Sequence, residues 1–166
     1  LRLTYNFSDH AFIRYQGDIS RSTPALSDLN NVEQLIDSLQ IRRGNPTLKM
    51  STVYNNTLNF DYRKGLFSGS LYLLYQYQRK PNMEETIREN DLFIRTIANQ
   101  RSWQKLNPEI EVKVGPFKDI LSLSVTTGIN YFDSRGHNYH HTYTNWYYRA
   151  SIMASYKNWS SFFEIQ

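Results

Sequence analysis

Cysteine is absent from the 166 residues, which excludes disulfide frameworks, cysteine-based zinc centres and thiol nucleophiles. Long apolar runs are also absent. No stretch approaches the roughly 18 residues a transmembrane helix needs, but barrel strands, whose signals alternate and are individually weak, remain open. Glycine and proline are sparse, at 7 and 5 residues. The net charge of +4 is spread along the chain. Arg42–Arg43 and Arg79–Lys80 read as solvated loop pairs rather than a nucleic-acid footprint, so no nucleic-acid partner is expected. No Gly-x-Ser-x-Gly, phosphate-loop or dinucleotide fingerprint occurs. Glu84, Glu85, Glu109 and Glu111 could be weighed as paired glycosidase carboxylates. However, Glu109 and Glu111 share one strand face with Lys113, so neither catalysis nor a cofactor is expected.

Aromatics are plentiful, with 13 Tyr and 15% Phe, Trp and Tyr together, yet mean hydropathy is −0.62. Such a mixture suits β-sheets with one apolar and one wet face. A soluble β-sandwich or a lipocalin-like barrel shares that composition. The dominant period is two. Leu121, Leu123, Val125, Thr127, Ile129 and Tyr131 alternate with Ser122, Ser124, Thr126, Gly128 and Asn130. The same alternation recurs in residues 54–62, 67–77, 109–114 and 146–156. At about ten residues or more, these segments exceed the usual soluble strand of ~5–6 and suit a tilted bilayer crossing of ~9–11. Their apolar faces tend to end in rings, among them Tyr54, Tyr62, Phe67, Tyr75, Tyr77, Tyr131, Trp146, Tyr148 and Tyr156, as at a membrane–water interface.

Short connections are expected at Ser8–Asp9–His10, Arg63–Lys64–Gly65, Gly115–Pro116–Phe117–Lys118 and Lys157–Asn158–Trp159. Longer loops are expected at roughly 20–50, 79–91 and 133–142. Alternating short and long links predict an up-and-down meander with its turns at one rim and its loops at the other. Within the first loop, Val32, Leu35, Ile36 and Leu39 recur at helical spacing behind Asn30 and Asn31. This pattern predicts a short amphipathic helix over 31–39.

Residues 20–29 (Ser-Arg-Ser-Thr-Pro-Ala-Leu-Ser-Asp-Leu) and 41–49 (Ile-Arg-Arg-Gly-Asn-Pro-Thr-Leu-Lys) together resemble a signature of TonB-dependent receptors, in particular those of Bacteroidetes outer-membrane barrels. The residues that carry it are Pro24, Leu26, Leu29, Gly44, Asn45, Pro46, Leu48 and Lys49. The first Pro stands one residue later than in the family pattern, and Met50–Ser51 replaces a common Pro-Glu. Physically, Gly44 permits a left-handed turn, Pro46 keeps Asn45 out of the helical region, and extended chain resumes at Leu48.

The expected fold is therefore all-β: an antiparallel meander of about eight long strands, part of an outer-membrane barrel, with one short helix in a long loop. The resemblance implies a single segment, 1–166, of a barrel of about 22 strands. The segment would lack the plug and closing strand, and would take part in nutrient uptake at the bacterial outer membrane. Its partners would be the lipid bilayer, an imported solute that the sequence does not name, and a TonB complex reached only through the missing plug. Made alone, such a segment should self-associate through its open edges. His137, His140 and His141 are candidate extracellular-loop contacts. Their spacing also suits a metal, but a polar loop explains them as well, and no metal is expected. The alternative is a soluble β-barrel or sandwich around an apolar ligand.

Overall fold

The computed structural model describes residues 1–165; Gln166, to which the last alternating pattern runs, lies outside the described residues. Twelve strands and one short helix follow in chain order: β1 (Arg2–Ser8), β2 (Ala11–Ser22), α1 (Leu26–Leu29), β3 (Gln34–Asp37), β4 (Gln40–Arg42), β5 (Ser51–Lys64) and β6 (Phe67–Arg79). Then come β7 (Asn82–Glu89), β8 (Leu92–Asn99), β9 (Ser102–Phe117), β10 (Leu121–Arg135), β11 (His140–Tyr156) and β12 (Trp159–Ile165). Eight of them form one antiparallel sheet, in the order β1-β2-β5-β6-β9-β10-β11-β12, which is the expected meander.

Its registers put the alternating patterns in step. Phe60 pairs with Leu71, Leu71 with Ile110, Ile110 with Thr127 and Thr127 with Tyr148. One face is therefore predominantly apolar and the other predominantly polar. The links segregate as well. Residues 9–10, 65–66, 118–120 and 157–158 turn at one rim, and 23–50, 80–101 and 136–139 lie at the other. Lys64 pairs with Phe67 across a two-residue turn. There Gly65 takes φ 57, the left-handed geometry that lets a tight turn follow the strand twist.

Three expectations for the long-link rim are corrected. Residues 31–39 are not helical. The helix is confined to Leu26–Leu29, and Leu35 lies in β3, paired with Ile41 of β4. The apolar spacing was compatible with a helix, but β4 pairs in parallel with β8, Ile41 opposite Ile94. That non-local ladder overrides local periodicity. Residues 79–91 are likewise not an open loop, because β7 and β8 form a hairpin there. Together β3, β4, β8 and β7 make a second, four-stranded sheet. The 133–142 loop shrinks to residues 136–139, closed by Gly136 N–H donating to Tyr139 C=O at 2.9 Å.

Among the described residues the buried hydrophobic side chains, Pro81 aside, are Ile41 and Ile94, both in the second sheet. The long sheet has no comparable interior. Leu3, Tyr5, Phe7, Val125, Trp146, Tyr148 and Phe163 are more than half exposed on its apolar face.

Candidate functional site

The polar face is the concave one. A cavity of about 880 Å³ near the short-turn rim is lined largely by its residues, among them Phe12, Asp61, Ser68, Ser70, Glu111 and Lys113. Hydrogen bonds run across this face from strand to strand. Gln76 Nε2 donates to Asn55 Oδ1 at 2.7 Å, and Asn55 Nδ2 to Asp18 Oδ2 at 3.2 Å. Trp103 Nε1 donates to Gln78 Oε1 at 2.6 Å, and Gln78 Nε2 to Ser51 Oγ at 2.9 Å. Tyr147 of β11 lies across Gly128 of β10 and donates its hydroxyl to Glu109 Oε2 of β9 at 2.6 Å. A Cβ on Gly128 would stand 2.4 Å from that hydroxyl, so the crossing requires glycine. The wall thus offers amides, hydroxyls and carboxylates, at fixed positions, to a hydrated solute.

The apolar face has its own crossing. Tyr15 lies over Gly17 and donates to Asn56 Oδ1 at 2.6 Å, giving a partner to an amide that would otherwise stand unpaired on an apolar surface. The rings mark two levels. Tyr54 and Tyr77 meet at 6.0 Å near one end, and Tyr62 and Phe67 at 6.0 Å near the other. Phe67 and Tyr77 of β6 are ten residues apart, or ~33 Å at the rise of a strand. A tilt of about 40° reduces this to ~25 Å, the height of a barrel's apolar band.

At the long-link rim the structure brings the two halves of the signature together. Gly44 N–H donates to Asn30 C=O at 3.0 Å and Asn45 N–H to Asp28 C=O at 2.6 Å. Asn45 Oδ1 accepts from Thr47 N–H at 2.9 Å, while its Nδ2 donates to Ile97 C=O in β8 at 3.1 Å. Gly44 has no positive φ, so the expected left-handed turn is corrected. Glycine is needed because a Cβ would stand 2.3 Å from Asn30 O and 2.7 Å from Asp28 O. Pro24, Leu29 and Leu48 are half-buried, while Leu26, Pro46 and Lys49 are exposed. Lys49 is held by its backbone: its N–H donates to Asn99 Oδ1 at 2.7 Å, and Asn99 Nδ2 donates back to its C=O at 2.9 Å.

The three loop histidines go to three different places. His137 is fixed by its backbone N–H, which donates to Gln100 Oε1 at 2.9 Å. The His140 ring meets Asp133 Oδ1 at 2.8 Å, and His141 stacks on Tyr139 at 5.2 Å. Among the described residues no group of three or more His, Asp or Glu could hold a metal ion. Asp133, 2% exposed, lies above Tyr131 on the same face of β10 and beyond the ring level. The Arg135 guanidinium, 3.0 Å away, pulls its carboxyl below the ordinary carboxylate range; His140 and Gln104 add to this and burial opposes it. The same contact raises Arg135.

Sequence reasoning missed Asn99, Gln100 and Asp133. Asn99 ends β8 and Gln100 follows it, both beyond the loop expected at 79–91, and Asp133 falls on the first residue of the loop expected at 133–142.

Residues 1–166 match the family described as "Outer membrane protein beta-barrel family". Among solved structures, the siderophore receptor PirA from Pseudomonas aeruginosa is similar to this chain, with a TM-score of 0.61 at 13% identity. The match covers 95% of this chain and 36% of the receptor, so the chain spans about a third of that protein's length. No curated protein matches. At this identity the likeness concerns the fold.

Proposed function

We propose that this chain, which belongs to the outer membrane protein beta-barrel family, forms part of the wall and extracellular rim of a TonB-dependent-receptor-type barrel for nutrient uptake. The observation that carries the reading is the opposition of the two faces. The concave face is polar and hydrogen-bonded across strands, and the other is apolar and edged by rings. A soluble container for an apolar ligand needs the reverse arrangement. In the outer membrane the apolar face meets lipid, while the polar face and the second sheet are left for the solute. The chain binds and guides rather than catalyses, and energy reaches the parent barrel through a plug coupled to TonB.

Two measurements test this reading. The chain has no cysteine, so single cysteines report orientation cleanly. In whole cells, Asn138→Cys should react with a membrane-impermeant maleimide and Asn158→Cys should not. Cells lacking the protein should lose growth on at least one nutrient supplied at limiting concentration, and collapsing the inner-membrane proton gradient should reproduce the loss. Growth unchanged across the nutrient panel, or uptake that survives the collapse, would sink the proposal.

A further inference from the structure

The concave face of the wall is predominantly polar, and the rings it carries call for a cause. At its long-link end, Trp103 of β9, Phe132 of β10 and Tyr143 of β11 stand on this face, on adjacent strands. Phe132 pairs with Tyr143 on one side and with Lys105 on the other. Trp103 is one row nearer the rim, opposite Ser134, and its ring lies 5.7 Å from that of Phe132. The indole N–H is taken by Gln78, so what Trp103 presents is its ring. Tyr143 is 59% exposed.

Lipid does not account for these rings. They stand at the height of Tyr77 but on the opposite face: Gln76 and Gln78, which flank Tyr77 on β6, pair with Lys105 and Trp103. A ring left open to water on a hydrated wall gains nothing from folding, and a cluster of them marks a binding surface.

The row that holds Phe132 and Tyr143 continues as amides. From β11 back to β2 it runs Tyr143, Phe132, Lys105, Gln76, Asn55 and Asp18. Asn55 bridges Gln76 and Asp18, which holds the amides in place and occupies the carboxylate. From Gln76 to Tyr143 the row crosses three strand spacings, or ~14 Å. Gln76 Oε1, the Lys105 ammonium and the Tyr143 hydroxyl have no partner among the described residues.

Charge selects among ligands. An anionic chelate calls for several cations, and a cationic solute for open carboxylates. This row carries one cation, Lys105, and its carboxylate is engaged by Asn55. An aliphatic ligand would cover the amides without giving them partners. A neutral sugar suits both halves: its C–H face stacks on an aromatic ring, while its hydroxyls donate to and accept from amides.

We propose that Trp103, Phe132 and Tyr143, with Gln76 and Lys105 beside them, form a binding platform for a neutral oligosaccharide at the mouth of the lumen. The site rests on the concave face lining that lumen, as proposed above, and narrows the solute to an uncharged saccharide. The chain lies across the strands, with its rings stacked on β9 to β11 and its hydroxyls reaching Gln76 on β6.

The test uses the full-length protein in an alkyl amine oxide detergent, which carries no sugar. An array of neutral oligosaccharides of glucose, galactose, mannose, xylose and N-acetylglucosamine finds the tightest binder, which isothermal titration calorimetry then follows. At least one should bind the wild type. Phe132→Ala with Tyr143→Ala should weaken binding by about three- to tenfold for each ring removed, with circular dichroism confirming the barrel. Tyr143→Phe, which keeps the ring, should retain most of the affinity. Should the double variant fail to fold, Tyr143→Ser carries the same expectation for one ring. Lys105→Gln should cost less affinity than the ring pair. Phe12→Ala, on the same face near the short-turn rim, should leave binding unchanged. No saccharide bound, or equal binding by a folded ring variant, overturns the site. A larger loss from Lys105→Gln than from the ring pair, or tighter binding of a ferric tris-catecholate, overturns the neutral-saccharide assignment. Binding in detergent needs no transport, so a failed platform leaves the uptake reading standing, and failed uptake leaves the binding readout intact.

Discussion

In the long sheet, partners in space are neighbours in the meander order, interrupted only by the rim inserts between β2 and β5 and between β6 and β9. In the rim sheet, Ile41 finds its partner at Ile94, in a different insert and in parallel. The wall leaves its large side chains exposed on one face, whereas the rim sheet buries Ile41 and Ile94. The wall thus leans on its surroundings, with lipid covering what a soluble sheet would bury. The rim sheet stands in water and has to build an interior of its own, from two inserts that meet only in the fold.

The largest expected effect breaks the wall side of that contrast. Val125 sits mid-height on the apolar face, paired with Val112 and Ala150. Val125→Arg should cost about 2–4 kcal/mol in lipid, read by denaturant unfolding in vesicles, while Thr126→Arg on the polar face costs far less. Equal losses would mean the faces are assigned wrongly. Next is Gly44→Ala, which forces a methyl against Asn30 and Asp28 carbonyls and should destabilise the rim by roughly 2–3 kcal/mol. The signature of independence is proteolytic nicking within 23–50 while the wall keeps its circular dichroism. Joint loss would show that the two regions unfold as one.

Asn45→Ala removes the amide that ties the signature loop to Ile97 and should cost about 1–2 kcal/mol, seen as faster amide exchange in residues 40–42 and 92–99. The smallest effect sharpens the seam between the regions. The Asp133 carboxyl lies below its ordinary value of 3.8 in the folded chain, chiefly through Arg135. Its stabilisation is therefore complete above about pH 4 and is lost as pH falls through the lowered folded value. Asp133→Asn should flatten melting temperature against pH below 4 and leave the neutral range nearly flat in slope. An unchanged acid limb would remove Asp133 from the account.

Much of this was legible. The alternation in residues 54–62, 67–77, 109–114 and 121–131 needs no partner to declare a two-faced strand, and sparse turn residues such as Gly65 mark the short rim. The signature residues Gly44 and Asn45 were legible as a loop, though for the wrong reason: a close approach of backbones, not a left-handed φ, requires glycine at 44. Val32, Leu35, Ile36 and Leu39 misled because a short apolar run carries no record of whether its hydrogen bonds close locally or on a distant strand.

By itself the sequence determined the wall: strand length, face assignment and the order of turns all follow from side-chain alternation, a local property fixed at every second residue. Tertiary structure decided the rim. The parallel pairing of Ile41 with Ile94 and the tie between Lys49 and Asn99 join residues from separate inserts. No local period encodes such contacts, because their free energy arises only when both inserts are in place.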